Sequence, residues 1–164
     1  MKRRYFLFAG ATAAGAISLS RIGSRSSTAK TPSSSMFEVT KTEAEWRSLL
    51  TPEQFYVLRQ EGTERPFSSP LDKQFAKGTY QCAGCHLSVF ASEAKFNSGT
   101  GWPSFSAPIP DSIGNGVPPS DLAMGTEIHC RRCGGHLGHL FDDGPPPKGH
   151  RYCIDGVALQ FVPA

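Results

Sequence analysis

Thr126-Glu127-Ile128-His129-Cys130-Arg131-Arg132-Cys133-Gly134-Gly135-His136-Leu137-Gly138-His139-Leu140-Phe141 decides the fold. Two short apolar or alternating runs flank a Cys-x-x-Cys turn closed by two glycines, which reads as two strands joined at a knuckle. A second pair, Cys82-Ala83-Gly84-Cys85, lies upstream. A two-residue gap lets both sulfurs of a pair reach one ion, so two pairs supply the four thiolates of a tetrahedral zinc site. Gly84, Gly134 and Gly135 stand where such knuckles need an open or left-handed backbone. The long segment between the pairs implies that the metal clips two distant hairpins together and is structural. Two disulfides, or a thioredoxin-like redox pair, are the alternative uses of these cysteines.

Outward from this stretch, residues 79–81, 87–90, 126–130, 137–141, 151–154 and 157–162 form short runs between Gly, Pro, Asn and Asp clusters. They predict an antiparallel sheet or two packed sheets. Residues 107–120 and 142–149 hold most of the prolines and read as loops. On the N-terminal side, Thr42-Glu43-Ala44-Glu45 matches a capping box ahead of Trp46, Leu49 and Leu50. Thr51 and Gln54 form a second one, with Pro52 at the first helical position and Gly62 as the stop. Two small helices covering one side of a sheet are expected.

The chain has 164 residues and a net charge of +3, with 17 basic and 14 acidic residues. Residues 1–35 contain six of the basic residues and no acid, leaving 36–164 with 11 basic against 14 acidic, a net of −3. A phosphate-gripping surface, and with it a nucleic-acid partner, therefore lacks support in the body. Residues 1–35 read as an export signal and linker: Lys2-Arg3-Arg4, then an apolar stretch rich in Ala and Gly, then a Ser-rich exit. Arg3-Arg4-Tyr5-Phe6-Leu7 resembles a twin-arginine signal. Ala14-Gly15-Ala16 and Ser27-Thr28-Ala29 are both cleavage options. A periplasmic domain over 36–164 is expected, an uncleaved N-terminal membrane anchor being the alternative.

The fifth cysteine, Cys153, stands alone in a strand-like run. A buried small side chain is the ordinary fate of such a residue. Arg151, two residues away, shares its face of a strand, and its charge favours a thiolate. His136 and His139 are three apart and would face opposite sides of a regular strand, but Gly138 permits a bulge that turns both toward one site. A Cys/His nucleophilic or redox site with Cys153 suits them better than a metal shell that four thiolates already complete.

Cys82-Ala83-Gly84-Cys85, Ser98-Gly99-Thr100-Gly101-Trp102-Pro103-Ser104-Phe105, Cys130-Arg131-Arg132-Cys133, Gly135-His136-Leu137-Gly138-His139-Leu140-Phe141 and Arg151-Tyr152-Cys153, in this order, resemble the methionine-R-sulfoxide reductases. The resemblance covers residues 38–162. It implies a mainly β fold, two antiparallel sheets joined by a four-cysteine zinc site of Cys82, Cys85, Cys130 and Cys133, with short N-terminal helices. It implies Cys153 as the nucleophile that becomes a sulfenic acid, and His139 and His136 as the pair that polarises or protonates the sulfoxide oxygen. Asp143 would orient the histidines, Arg151 would flank the nucleophile, and Trp102 would pack on the substrate's methyl group.

Two positions depart from the family pattern. Thr100 stands where many members have a resolving cysteine, which implies recycling by an external thiol or a thioredoxin-like protein. Asp155 stands where asparagine is usual, and an ionised acid there opposes the thiolate. The expected substrates are oxidised proteins and the free amino acid sulfoxide, and the expected state is a monomer. The rival readings are a catalytically inactive zinc-ribbon binding module and a cysteine hydrolase using Cys153 and His139.

Overall fold

Two capping boxes shape the first elements. Thr42 Oγ1 accepts from the Glu45 N–H at 3.3 Å while Glu45 Oε2 accepts from the Thr42 N–H at 2.7 Å, and α1 runs Glu43–Leu49. Thr51 and Gln54 repeat the exchange at 3.2 and 3.1 Å ahead of α2, Pro52–Gln60. The left-handed residue that ends α2 is Glu61, at φ 55°, rather than Gly62, whose N–H caps the Tyr56 carbonyl at 3.0 Å. Trp46, Leu50, Phe55, Val57 and Leu58 are buried, whereas Leu49, grouped with them on spacing alone, is 60% exposed. This computed structural model describes residues 36–116 and 125–164, which belong to a compact unit spanning Ser34–Ala164. The expected leader lies outside the described residues.

Among the described residues the protein is mainly β, with every pairing antiparallel. Strands β1 (Gly78–Cys82), β2 (Ser88–Ala91) and β9 (Leu159–Pro163) form one sheet with β1 in the middle. The other sheet has the order β3 (Lys95–Phe96), β4 (Ser104–Phe105), β8 (Arg151–Ile154), β7 (His136–Phe141), β6 (Thr126–Cys130) and β5 (Ile113–Asn115). Strand β5 falls inside the stretch expected to be loop. It lacks a periodic apolar pattern and exists because Ile113 and Asn115 pair with Cys130 and Ile128 of β6. Val157, expected in the last strand, belongs to a 3-10 turn over Gly156–Ala158.

Aromatic rings bind the sheets together. Phe90 of β2 stacks on Phe105 of β4 with centroids 4.3 Å apart, and Tyr80 of β1 meets Phe105 edge-on at 4.9 Å. All three are fully buried. Such pairs add about 0.5–1.5 kcal/mol each beyond burial. The same core includes Ile128, Leu137 and Ile154, so it lies directly beneath the strands that bear the histidines and Cys153.

Candidate active site

The two Cys-x-x-Cys knuckles sit at equivalent strand ends. Cys82 closes β1 and its carbonyl accepts from His86, and Cys130 closes β6 and its carbonyl accepts from Gly134, both at 2.8 Å. In each knuckle the residue after the second cysteine is left-handed: His86 at φ 60° and Gly134 at φ 64°. The expectation for Gly134 holds, while in the first knuckle the role belongs to His86 and not to Gly84. None of the five cysteines is in a disulfide. The four knuckle sulfurs lie within 4.8 Å of one another, with Cys82 to Cys133 at 3.7 Å and Cys85 to Cys130 at 3.5 Å. Metal–sulfur bonds of about 2.3 Å place tetrahedral sulfurs about 3.8 Å apart, so the donor set fits a metal ion. Because β1 and β6 belong to different sheets, an ion held here fastens one sheet to the other.

The cysteine outside this cluster is positioned by strand register. In β8, Cys153 lies between Ser104 of β4 and His139 of β7. Strand β7 slips in register against β6: Ile128 faces Gly138 but His129 faces His136, leaving Leu137 as the extra residue of a bulge. Gly138 adopts φ 147°, and a Cβ there would be driven into the Cys153 carbonyl oxygen. The bulge turns His136 and His139 to one side, where their rings meet edge-on with centroids 5.2 Å apart.

Cys153 shares a niche of about 140 Å³ with Thr63, Trp102, His139, Phe141 and Asp155. That is below the usual range for a whole small-molecule ligand and suits the end of one side chain. The Trp102 indole N–H donates to the Glu64 carbonyl at 3.2 Å, which fixes the ring as a wall. A groove of about 570 Å³ elsewhere, between α2 and residues 64–71, is larger but has no cysteine or histidine among its lining residues.

Arg151 is buried beside the niche. Its guanidinium lies over the Phe141 ring at 4.3 Å and forks onto Asp143, with Nε to Oδ1 at 2.8 Å and Nη2 to Oδ2 at 2.9 Å. Asp143 therefore does not orient the histidines. It orients Arg151, because residues 142–149 return across the end of β8. The acid on the histidines is Glu127 of β6: its Oε1 meets His136 Nδ1 at 2.9 Å and its Oε2 meets His129 Nδ1 at 3.0 Å. Sequence reasoning missed Glu127, nine residues from His136. The signal available was its alternation with His129 on a strand hairpin-paired to the histidine strand.

These contacts set the charges. Burial pushes the Cys153 thiol up, opposed by Arg151 and a hydrogen bond from the Thr100 hydroxyl, while Asp155 adds to the rise. On balance burial outweighs Arg151 and Thr100, and the thiol lies above its ordinary value. Burial, then His136, pushes His139 down. Burial lifts Glu127, but hydrogen bonds from His136 and His129 outweigh it and hold the carboxyl below its ordinary value. Burial pushes Asp155 up to about 6.

Fold and site together define a class: a small β protein with a four-cysteine cluster that fits a metal ion and, apart from it, a cysteine-centred niche walled by aromatic rings and imidazole. Comparison with known proteins narrows it. The SelR domain matches residues 50–163. The peptide methionine sulfoxide reductase MsrB of Agrobacterium fabrum is 48% identical over 127 residues, covering 77% of this chain and 94% of that protein. Its counterpart in Methanosarcina barkeri is 52% identical over 124 residues, covering 75% and 87%. That of Pseudomonas putida strain W619 is 50% identical over 131 residues, covering 78% and 97%. The chain belongs to the SelR family of MsrB-type methionine sulfoxide reductases.

Proposed function

We propose that this protein reduces methionine-R-sulfoxide, in oxidised proteins and as the free amino acid, with Cys153 as the nucleophile. The observation that carries the reading is the shared niche of Cys153, Trp102, Phe141 and His139. Two aromatic walls suit a polarizable sulfur-methyl end, and a histidine on the same wall suits the sulfoxide oxygen. Cys153 attacks the sulfoxide sulfur, the oxygen passes to Cys153, and methionine leaves. The methionine sulfur gains two electrons, the Cys153 sulfur loses two and becomes a sulfenic acid. Arg151, held by Asp143, and the Thr100 hydroxyl stabilise the thiolate as it forms. His136, fixed by Glu127, supports the His139 ring from behind.

The chain has five cysteines, and four of them form the metal cluster. No thiol is left to resolve the sulfenic acid within the chain, so an external thiol or a thioredoxin-like protein reduces it. That reductant forms a mixed disulfide with release of water, and a second thiol regenerates Cys153. Four thiolates at this spacing favour zinc, held by Cys82, Cys85, Cys130 and Cys133 in a structural role. The leader directs export by the twin-arginine route. Replacing Arg3 and Arg4 by lysine should block export of a tagged chain, and unchanged export would count against this route.

Purified protein given separate R and S sulfoxides of methionine with dithiothreitol should turn over the R form only. Equal turnover of both, or none of R, defeats the reading; zinc binding without turnover would leave a non-catalytic binding module. Cys153→Ser should abolish the reaction.

A further inference from the structure

We propose that Asp155 is the catalytic acid of the niche, the group that gives the sulfoxide oxygen its proton. The proposal rests on the reductase reading above. Asp155 follows β8 directly and is 3% exposed, yet it lines the niche with Cys153 and His139. Its two oxygens are unequal. Oδ1 accepts from the Glu64 N–H at 2.8 Å, whereas Oδ2 has no hydrogen-bond donor among the described residues and faces His136 Nε2 across 4.0 Å. That nitrogen is itself buried without a partner. His136 Nδ1 meets the Glu127 carboxylate, so a neutral ring that keeps its proton there turns a bare Nε2 toward Oδ2. A carboxyl proton is therefore favoured on Oδ2, the oxygen with no other partner.

Burial and the Glu64 carboxyl favour that proton, against the Glu64 N–H and His136. From residues 61–69, Glu64 presents a half-buried carboxyl. From β7 come His136 and His139. From β8 comes Cys153, with Arg151 beyond it committed to Asp143. Among the described residues no cation lies within hydrogen-bond reach of Asp155, and burial raises its pKa to about 6 while His139 is pushed the opposite way. Two titratable groups in one niche, one raised and one lowered, separate the roles of acid and neutral hydrogen-bond partner. During the reaction the Cys153 thiolate supplies the electron pair to the sulfoxide sulfur and the oxygen passes to Cys153. The proton on that oxygen comes from the Asp155 carboxyl. Asp155 is left as a carboxylate and regains its proton from solvent once methionine leaves.

The test is the pH dependence of kcat/KM for an R-sulfoxide peptide, wild type beside Asp155→Asn, between about pH 5 and 8. In the wild type the rate needs a thiolate and a protonated Asp155 together. It should rise about tenfold per pH unit and then level off where Asp155 titrates. Asp155→Asn keeps the acceptor for Glu64 but has no proton to give. It should start about a hundredfold slower and keep climbing past the wild-type bend, so that the gap closes with pH. Asp155→Ser, which also lacks a carboxyl, should show the same unbent climb and guards against a folding defect of the amide. Parallel profiles separated by a constant factor, or identical ones, overturn the proposal. An inactive wild type overturns the reductase reading instead.

Discussion

Asp143 grips Arg151 with both carboxylate oxygens, at 2.8 and 2.9 Å, and so decides where a buried guanidinium rests relative to Cys153. Asp143 reaches into the site from a largely exposed position, and Arg151 holds its carboxyl below the usual range. The pair joins an exposed carboxylate to a buried guanidinium, and it fixes the direction of that buried charge. Asp143→Ala should lower the melting temperature, because Arg151 is left buried without its carboxylate, and slow alkylation of Cys153 by iodoacetamide about threefold or more at neutral pH, because the thiolate loses its aligned cation. Equal alkylation rates would separate Arg151 from Cys153 activation.

Glu127 fixes which nitrogen of His136 carries the proton. Glu127→Gln keeps the shape but can rotate to present either a donor or an acceptor to Nδ1. A fall in kcat of about tenfold or more is expected, with KM little changed, since Glu127 does not line the niche. The His136 ring signals in NMR should report a mixed tautomer in the variant.

The four-cysteine cluster joins knuckles of different sheets, so an ion held there would fasten one sheet to the other. Cys130→Ser should release the ion, seen by metal analysis, and lower the melting temperature by at least about 10 °C. Chelation of the wild type should do the same, and zinc should restore it. A variant that melts with the wild type would remove the structural role.

Asp155 also makes folding depend on pH. Its carboxyl is raised in the folded protein, so the stability it contributes is present below its ordinary value and is lost as pH rises through about 6. Urea unfolding should show the wild type losing up to about 3 kcal/mol across that window relative to Asp155→Asn. A constant difference between the two at every pH would contradict it.

Much of this was legible in the chain. The two capping boxes placed both helices because Thr, Glu and Gln satisfy backbone groups locally, and the cysteine spacing placed the four-sulfur cluster because a two-residue turn admits few geometries. The departures arise where distant segments decide. Leu49 fits the helical stripe but projects to solvent, while Trp46 and Leu50 turn into the core. Residues 113–115 are a strand only because β6 pairs with them. Asp143 is next to the histidine strand in sequence, yet the returning loop delivers it to Arg151, while Glu127 reaches His136 across a hairpin. Periodicity describes faces; it does not say which acid meets which base.

The slip at Leu137 acts as a phase boundary within β7. Before it, the strand keeps step with the metal knuckle, with His136 opposite His129 and the Gly135 carbonyl accepting from Cys130. Beyond it, the strand keeps step with the nucleophile, His139 opposite Cys153. Two centres with separate registers thus share one strand, and a change of spacing around the knuckle can be absorbed at the slip before it reaches the histidine that faces Cys153.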